Sequence, residues 1–100
     1  MLGIKKNIEN GKACVKLEGR LDTITAPELE TALKDTFTSA NELTLDFEKL
    51  EYISSAGLRA LLSAHKVMAR KGGLQIVGVN ETIMEIFDVT GFSDILNIVK

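Results

Sequence analysis

Two adjacent serines, Ser54 and Ser55, are the residues of this sequence whose type and position could carry chemistry. A serine nucleophile needs a nearby base, and the single histidine, His65, is the only imidazole that could serve. Apolar residues at helical spacing follow the serines, and along a helix the ten residues to His65 span roughly 15 Å. This distance excludes a hydrogen-bonded serine–histidine pair, so we expect no hydrolase of this kind.

The sequence also lacks the short motifs of other enzyme classes. It has no Gly-x-Ser-x-Gly elbow, no phosphate-binding P-loop, no dinucleotide-binding glycine motif and no His-Glu-x-x-His pair. Cys14 is the only cysteine, so neither an intrachain disulfide nor a thiolate metal cluster can form. We expect no enzyme, no cofactor and no bound metal. We assign a structural role to Cys14 and a structural or surface role to His65.

The composition is that of an ordinary globular domain. Of 100 residues, 45% are hydrophobic and 26% are charged, which suffices for one core. The net charge of -2 disfavours direct binding to nucleic acid or anionic lipid. Every apolar stretch is far shorter than the roughly 20 residues of a membrane span, and the first residues resemble neither a secretory signal nor a myristoylation site.

These features predict one domain over residues 1–100, located in the cytoplasm and without a nucleic-acid or membrane partner. The oligomeric state stays open. The elements that must position the serines begin with a predicted hairpin, because residues 4–8 and 12–19 read as strands. Asn10-Gly11 lies between them, where a tight turn needs positive φ, so the two strands are expected to pair antiparallel.

Three residues predict the start of the first helix. Thr25 is a preferred N-cap, Pro27 suits the first turn, and Glu28 would complete a capping box with Thr25. The apolar residues that recur at helical spacing after this start are Leu29, Ala32, Leu33, Phe37 and Ala40.

The next strand alternates apolar and polar residues up to Asp46, and a short link through Leu50 leads to the serines. Such alternation predicts a sheet with helices on one face only. The second helix is expected to begin at Ser54 or Ser55, with Leu58, Leu61, Leu62 and Met68 on its inner side. Its predicted end has Arg70 and Lys71 in the last turn and Gly72 or Gly73 as a left-handed cap.

The remaining chain predicts a strand over residues 74–79, a helix capped by Asn80 and stopped by Gly91, a helical turn over 92–95 and a strand over 96–99. The predicted fold class is therefore α/β, with a single mixed sheet. An antiparallel N-terminal hairpin is followed by parallel βα units with right-handed connections, and the helices pack on one face.

Residues 43–58 read LTLDFEKLEYISSAGL, and this segment resembles the signature of the STAS domain family. Within that family the chain is most similar to stand-alone anti-sigma factor antagonists. Residues 19–22 with 25–26, GRLD and TA, resemble the first loop of the family, and residues 87–92, FDVTGF, resemble its final helix and turn. The three segments have the family's order and distances, so the resemblance covers essentially the whole chain.

The resemblance implies a partner-switching mechanism. The unmodified antagonist binds an anti-sigma factor, which is itself a serine kinase, and the sigma factor is thereby released. The kinase phosphorylates one serine of the antagonist, which ends the interaction, and a serine phosphatase restores it. By its position relative to Gly57, the phosphoacceptor maps onto Ser55, with Ser54 as the alternative. The best-known members have aspartate at the position of Ser54 and serine or threonine at that of Ala56.

The residues themselves leave alternatives open. A phosphate on a serine at a helix start is stabilised by free backbone N–H groups, but Ser55 could also be a plain N-cap. Asp46 could stabilise a turn or belong to the phosphorylation site. The family also contains constitutive interaction modules of signalling or transport complexes that are not phosphorylated. The residues expected to contact a partner are Asp22, Thr25, Asp46, Ser54, Ala56, Gly57 and Leu58.

Overall fold

The computed structural model describes residues 2–99, which form one mixed five-stranded sheet whose strand order follows the chain order. The first two strands pair antiparallel and all later pairs are parallel, which confirms the predicted fold class. The strands are β1 (Leu2–Glu9), β2 (Lys12–Leu21), β3 (Glu42–Ile53), β4 (Leu74–Val77) and β5 (Asn97–Ile98). The helices are α1 (Ala26–Ser39), α2 (Ser55–Met68) and α3 (Glu81–Thr90), and a 3-10 turn follows at Phe92–Asp94.

The hairpin that joins β1 to β2 is built as the sequence predicts. Asn10 and Gly11 have φ values of 52° and 77°, and both lie in the left-handed region that a two-residue hairpin turn requires. The strands pair without interruption from Leu2 opposite Gly19 to Glu9 opposite Lys12. The turn therefore fixes the register of the whole edge of the sheet.

All three helices share one core with one face of the sheet. Val15, Leu45 and Ile76 point into this core and are fully buried, whereas their neighbours Lys16 and Gln75 lie on the solvent side. The helices supply Leu29, Leu33, Leu61, Met68, Ile83 and Phe87 to the same core. One apolar and one polar side of each strand are what a sheet covered on one face requires, so this prediction is confirmed.

β3 does not end at Asp46, as the alternation predicted, but continues to Ile53. Lys16 of β2 lies opposite Asp46, and Leu21 lies opposite Ile53, so β2 advances five residues (21 − 16) while β3 advances seven (53 − 46). Two β-bulges in β3 absorb the difference. The bulges break the period of two, which is why the sequence pattern indicated a link instead of a strand.

The bulges also explain the place of Asp46. Its Oδ1 accepts a hydrogen bond from the backbone N–H of Glu48 at 2.9 Å, which stabilises the first bulge. After it, the buried residues of β3 are spaced three apart, at Phe47, Leu50 and Ile53. Of the two roles considered for Asp46, stabilisation of local backbone is the one that the structure shows.

The ends of α2 and α3 test the cap predictions. α2 ends at Met68, so the prediction that Arg70 and Lys71 occupy its last turn is wrong; both lie in the turn that follows. Gly73, with φ of 96°, takes the left-handed conformation, and its N–H donates to the carbonyl of Met68. For α3, the cap by Asn80 and the left-handed Gly91 are confirmed. Within residues 2–99, no helix combines the length and the apolar character needed to cross a bilayer.

Candidate functional site

The candidate site lies at the end of the sheet where the C-terminal ends of β2 and β3 are side by side. The backbone N–H of Ser54 donates a hydrogen bond to the carbonyl of Leu21 at 2.9 Å. The turn after β2 starts at Asp22 and leads into α1. This bond holds it against the turn that leads from β3 into α2. Parallel strands bring their carboxyl ends to one edge, so two helix N-termini meet there. We call residues 22–25 the α1 turn and residues 54–57 the α2 turn.

In the α2 turn the two serines have different roles. Ser54 is the N-cap: its backbone is extended, with φ of −99° and ψ of 176°, and its hydroxyl oxygen accepts from the N–H of Gly57 at 3.4 Å. Ser55 is the first helical residue and is exposed. Among the hydrogen bonds of residues 2–99, none engages the Ser55 hydroxyl. The alternative that Ser55 is a plain N-cap is therefore wrong, because Ser54 has that role.

Gly57 lets α2 start in close contact with the strand ends. A Cβ at this position would lie 2.8 Å from Cγ1 of Ile53 and 2.8 Å from Cγ of Leu21, closer than real carbon atoms approach. Leu58 is buried in the core. Gly57 and Leu58 are both buried and support the turn from its core side, while Ala56 is only partly covered. Their contact with a partner stays a prediction.

In the α1 turn, Thr25 is folded inward and forms no capping box. Its backbone is already helical, with φ of −92° and ψ of −19°, so its side chain does not reach over the first turn of α1. The Thr25 hydroxyl donates to the carbonyl of Arg20 at 2.8 Å and accepts from the N–H of Asp22 at 2.8 Å. The residue is only 3% exposed, so its side chain stabilises the turn, and its contact with a partner stays a prediction.

Asp22 organises the α1 turn. Its Oδ1 accepts hydrogen bonds from the backbone N–H groups of Ile24 and Thr25, both at 3.0 Å, and lies 3.1 Å from the Thr25 hydroxyl, whose single proton it shares with the Arg20 carbonyl. The bond from the Thr25 N–H is the main reason that the pKa of Asp22 lies below its ordinary value of 3.8, and the nearby guanidinium of Arg20 lowers it further. A charged carboxylate thus holds this turn.

Three exposed residues beside these turns, Ile24, Arg20 and Arg59, are not among the predicted site residues. Ile24 projects from the α1 turn with 81% of its surface exposed. Arg20 lies over the ring of Tyr52 at 4.4 Å from the ring centre, and Arg59 is exposed one helical turn after Ser55. The one available signal was the occurrence of an isoleucine within the polar segment Asp-Thr-Ile-Thr.

The site contains the expected residues Asp22, Ser54, Ser55 and Ala56 on its surface, but not Asp46. Asp46 precedes Ile53 by seven residues of strand, which at about 3.3 Å each, reduced by the bulges, places it roughly 20 Å from the α2 turn. Among residues 2–99 no group of three or more His, Cys, Asp or Glu side chains is arranged to hold a metal ion.

The family model described as STAS domain matches residues 4–100, nearly the whole chain. The chain belongs to the STAS domain family. The family resemblance read from residues 43–58 is confirmed. Both the α1 turn and the α2 turn lie within the matched residues.

Three known proteins illustrate the similarity. The chain is 31% identical over 86 residues to the anti-sigma-B factor antagonist of Staphylococcus epidermidis, covering 84% of this chain and 80% of that one. The crystal structure of an anti-sigma factor antagonist from Mycobacterium paratuberculosis has the same fold, with a TM-score of 0.88 and 22% identity over 98% of this chain and 85% of that one. The phosphorylated form of the Bacillus cell fate determinant SpoIIAA gives a TM-score of 0.75 at 14% identity, covering 98% and 92%.

Proposed function

We propose that this STAS domain is an anti-sigma factor antagonist. In its unmodified form it binds an anti-sigma factor that is also a serine kinase, and the sigma factor is released. Phosphorylation of Ser55 ends this binding, and a serine phosphatase restores it. The protein acts in the cytoplasm as a regulatory binding protein and not as an enzyme. The relative named anti-sigma-B factor antagonist supports the antagonist role.

The observation that carries the proposal is the free, exposed hydroxyl of Ser55 at the first position of α2. Because Ser54 supplies the cap, modification of Ser55 removes no hydrogen bond from the fold. A phosphate at this position is stabilised by the unpaired N–H groups and the positive end of the helix dipole. Ser55 can therefore carry a phosphate at small cost to the domain itself.

Arg59 supplies a second partner for a phosphate on Ser55. The two residues are four positions apart on α2, so their side chains share one face of the helix, and both are exposed. A phosphoserine adds a charge of about −1.5 to −2 and pairs well with arginine. The modified turn would be locally satisfied, and the main effect of the charge is on whatever docks against it.

Ending the interaction requires a large difference in binding free energy between the unmodified and the phosphorylated form. Turning a complex from 99% bound to 99% free takes about 5.5 kcal/mol of difference between the two forms. A phosphate in the centre of an interface opposes docking by its desolvation cost and by repulsion from acidic groups of the partner. In the proposal, Ser54 and Ala56 flank the phosphate under the docked kinase, and Asp22 lies on the adjoining turn.

The test compares Ser55 with its neighbour. The unmodified protein is used to capture the kinase from native lysate, and the captured kinase is purified and incubated with ATP and each variant. We expect a single phosphate on the peptide that contains Ser55 in wild type and in Ser54→Ala, and none in Ser55→Ala, which still binds. Ser55→Asp should weaken binding at least 100-fold.

A phosphate found on Ser54, or on neither serine, would contradict the proposal. Equal affinity of wild type and Ser55→Asp for the captured partner, with or without ATP, would instead identify a constitutive interaction module.

A further inference from the structure

We infer that Ile24 is an apolar anchor that inserts into an aliphatic or aromatic pocket on the anti-sigma kinase, beside the kinase site that receives Ser55. This inference rests on the proposed function and names the contact that holds the kinase in place. It assigns a role to the α1 turn, in which the side chains of Asp22 and Thr25 are used within the domain.

Exposure first distinguishes Ile24 from the other apolar residues of the site. Its side chain is 81% exposed, whereas Tyr52 is 36% exposed and partly covered by Arg20. Single apolar residues on a surface are common, and Val89 on α3 is 87% exposed. Exposure alone therefore decides nothing, and the inference depends on how Ile24 is held and where it lies.

The α1 turn holds Ile24 rigidly before any partner arrives. The backbone N–H of Ile24 donates to Asp22 Oδ1, and the following N–H of Thr25 donates to the same oxygen. The buried Thr25 hydroxyl ties the turn back to the carbonyl of Arg20, and the N–H of Ala26 donates to the carbonyl of Asp22 at 2.8 Å. An isoleucine side chain also has few rotamers, so ordering it on binding costs little.

The distance between Ile24 and Ser55 indicates which protein covers Ile24. Leu21 and Ser54 are joined by a backbone hydrogen bond; Ile24 is three residues beyond Leu21, and Ser55 is the next residue after Ser54. At no more than about 3.6 Å per residue, the two sites lie within roughly 18 Å of each other. A standard interface covers about 800 Å² on each partner, a patch about 30 Å across. A patch of this size that includes the Ser55 hydroxyl is wide enough to include Ile24 as well.

An apolar side chain that is held in place and loses its contact with water in a pocket of the partner contributes affinity by burial of apolar surface. The phosphate and the anchor then have separate effects. The anchor contributes affinity for the kinase, and the state of Ser55 decides whether that affinity is realised.

The experiment compares Ile24→Ser with Val89→Ser, a change of a similarly exposed branched residue on α3. The probe is the purified kinase that phosphorylates wild-type Ser55, in its ADP-bound form, and the affinities are measured by calorimetry. We expect Ile24→Ser to raise Kd at least tenfold and Val89→Ser to change it less than twofold. Ile24→Val, which keeps a branched apolar side chain, should stay within threefold of wild type.

Kinetics of Ser55 phosphorylation separate anchoring from chemistry. Ile24→Ser should raise the KM of the kinase for this substrate by about the same factor as Kd, while kcat stays near that of wild type. Because the replaced side chain is exposed, the melting temperature of the variant should match that of wild type.

The inference is overturned if Ile24→Ser binds the kinase like wild type while Ser55→Asp does not; the proposed function then stands without it. It is also overturned if Ile24→Ser dissociates a dimer of this chain and leaves the kinase affinity unchanged, because the occupant is then a second copy. If the wild-type protein neither binds a kinase nor gains a phosphate, the proposed function itself fails.

Discussion

The α1 turn and the α2 turn lie side by side at the same edge of the sheet, but they use their polar residues in opposite ways. In the α1 turn, Asp22 and Thr25 are bonded to each other and to the backbone, and an apolar side chain, Ile24, is left outside. In the α2 turn, Ser54 alone caps the helix, and the hydroxyl of Ser55 is left outside.

The difference separates two tasks that one surface has to combine. A closed hydrogen-bond network makes the α1 turn rigid, which suits an element that contributes a constant contact. A free hydroxyl makes the α2 turn modifiable, which suits an element whose charge is to change. One backbone bond, from the Ser54 N–H to the Leu21 carbonyl, keeps the two at a fixed distance.

Among substitutions in the two turns, loss of the Thr25 hydroxyl should lower the free energy of unfolding most. Thr25→Val keeps the shape but leaves the carbonyl of Arg20 and the N–H of Asp22 without their partner in a buried place. We expect the free energy of unfolding in urea to fall by about 2 to 3 kcal/mol. Thr23→Val, at an exposed position in the same turn, should change it by less than about 0.5 kcal/mol. Equal effects of the two changes would show that the network does not hold the turn.

Substitutions of the two serines of the α2 turn should lower the free energy of unfolding by different amounts, and both amounts should be smaller than for Thr25→Val. Ser54→Ala removes the N-cap of α2 and should cost about 1 kcal/mol of unfolding free energy, toward the lower end of the usual range because the bond to the Gly57 N–H is long. Ser55→Ala removes no hydrogen bond and should stay within about 0.5 kcal/mol of wild type. Thermal and urea unfolding of both variants measure this. A cost for Ser55→Ala as large as that for Ser54→Ala would contradict the assigned roles.

Removal of the charge of Asp22 should change the stability of the domain least. Because folding lowers the pKa of this carboxyl group, its contribution to stability is fully present well above pH 3.8 and is lost as the pH falls through the lower, folded value. The stability difference between wild type and Asp22→Asn should therefore shrink as the pH falls from about 5 to about 2. Urea unfolding at a series of pH values measures it, with Asp35→Asn on the exposed side of α1 as the control. A difference that does not change with pH would contradict a charged carboxylate in the turn.

The sequence predicted the parts of the fold that depend on local chemistry. Asn10-Gly11 requires positive φ and Asn80 is a strong N-cap, so the hairpin and α3 were predicted correctly. The end of β3 was not predicted, because two bulges break the alternation on which strand prediction depends. In the site, the helix start was predicted at Ser54 or Ser55 and α2 begins at Ser55, but the division of roles between the serines depends on backbone angles.

The α1 turn shows a second limit of sequence reasoning. The spacing of Thr25 and Glu28 matches a capping box, but the same hydroxyl can bond backward to the end of β2, and in the folded chain it does. The competition is decided by where the strand ends, which is a tertiary property. The exposure of Ile24 follows from the same choice and could not be derived from its apolar character.

The two bulges of β3 set the level at which α2 begins relative to the α1 turn. They fit seven residue steps of β3 alongside five of β2, so α2 begins level with the α1 turn instead of about 7 Å above it. Each bulge thus acts as a spacer of about one residue. If one bulge were lost and its residue kept, β3 would lengthen by about 3 Å and the residues after it would turn to the opposite face of the sheet, so both bulges are needed to hold Ser55 level with Ile24.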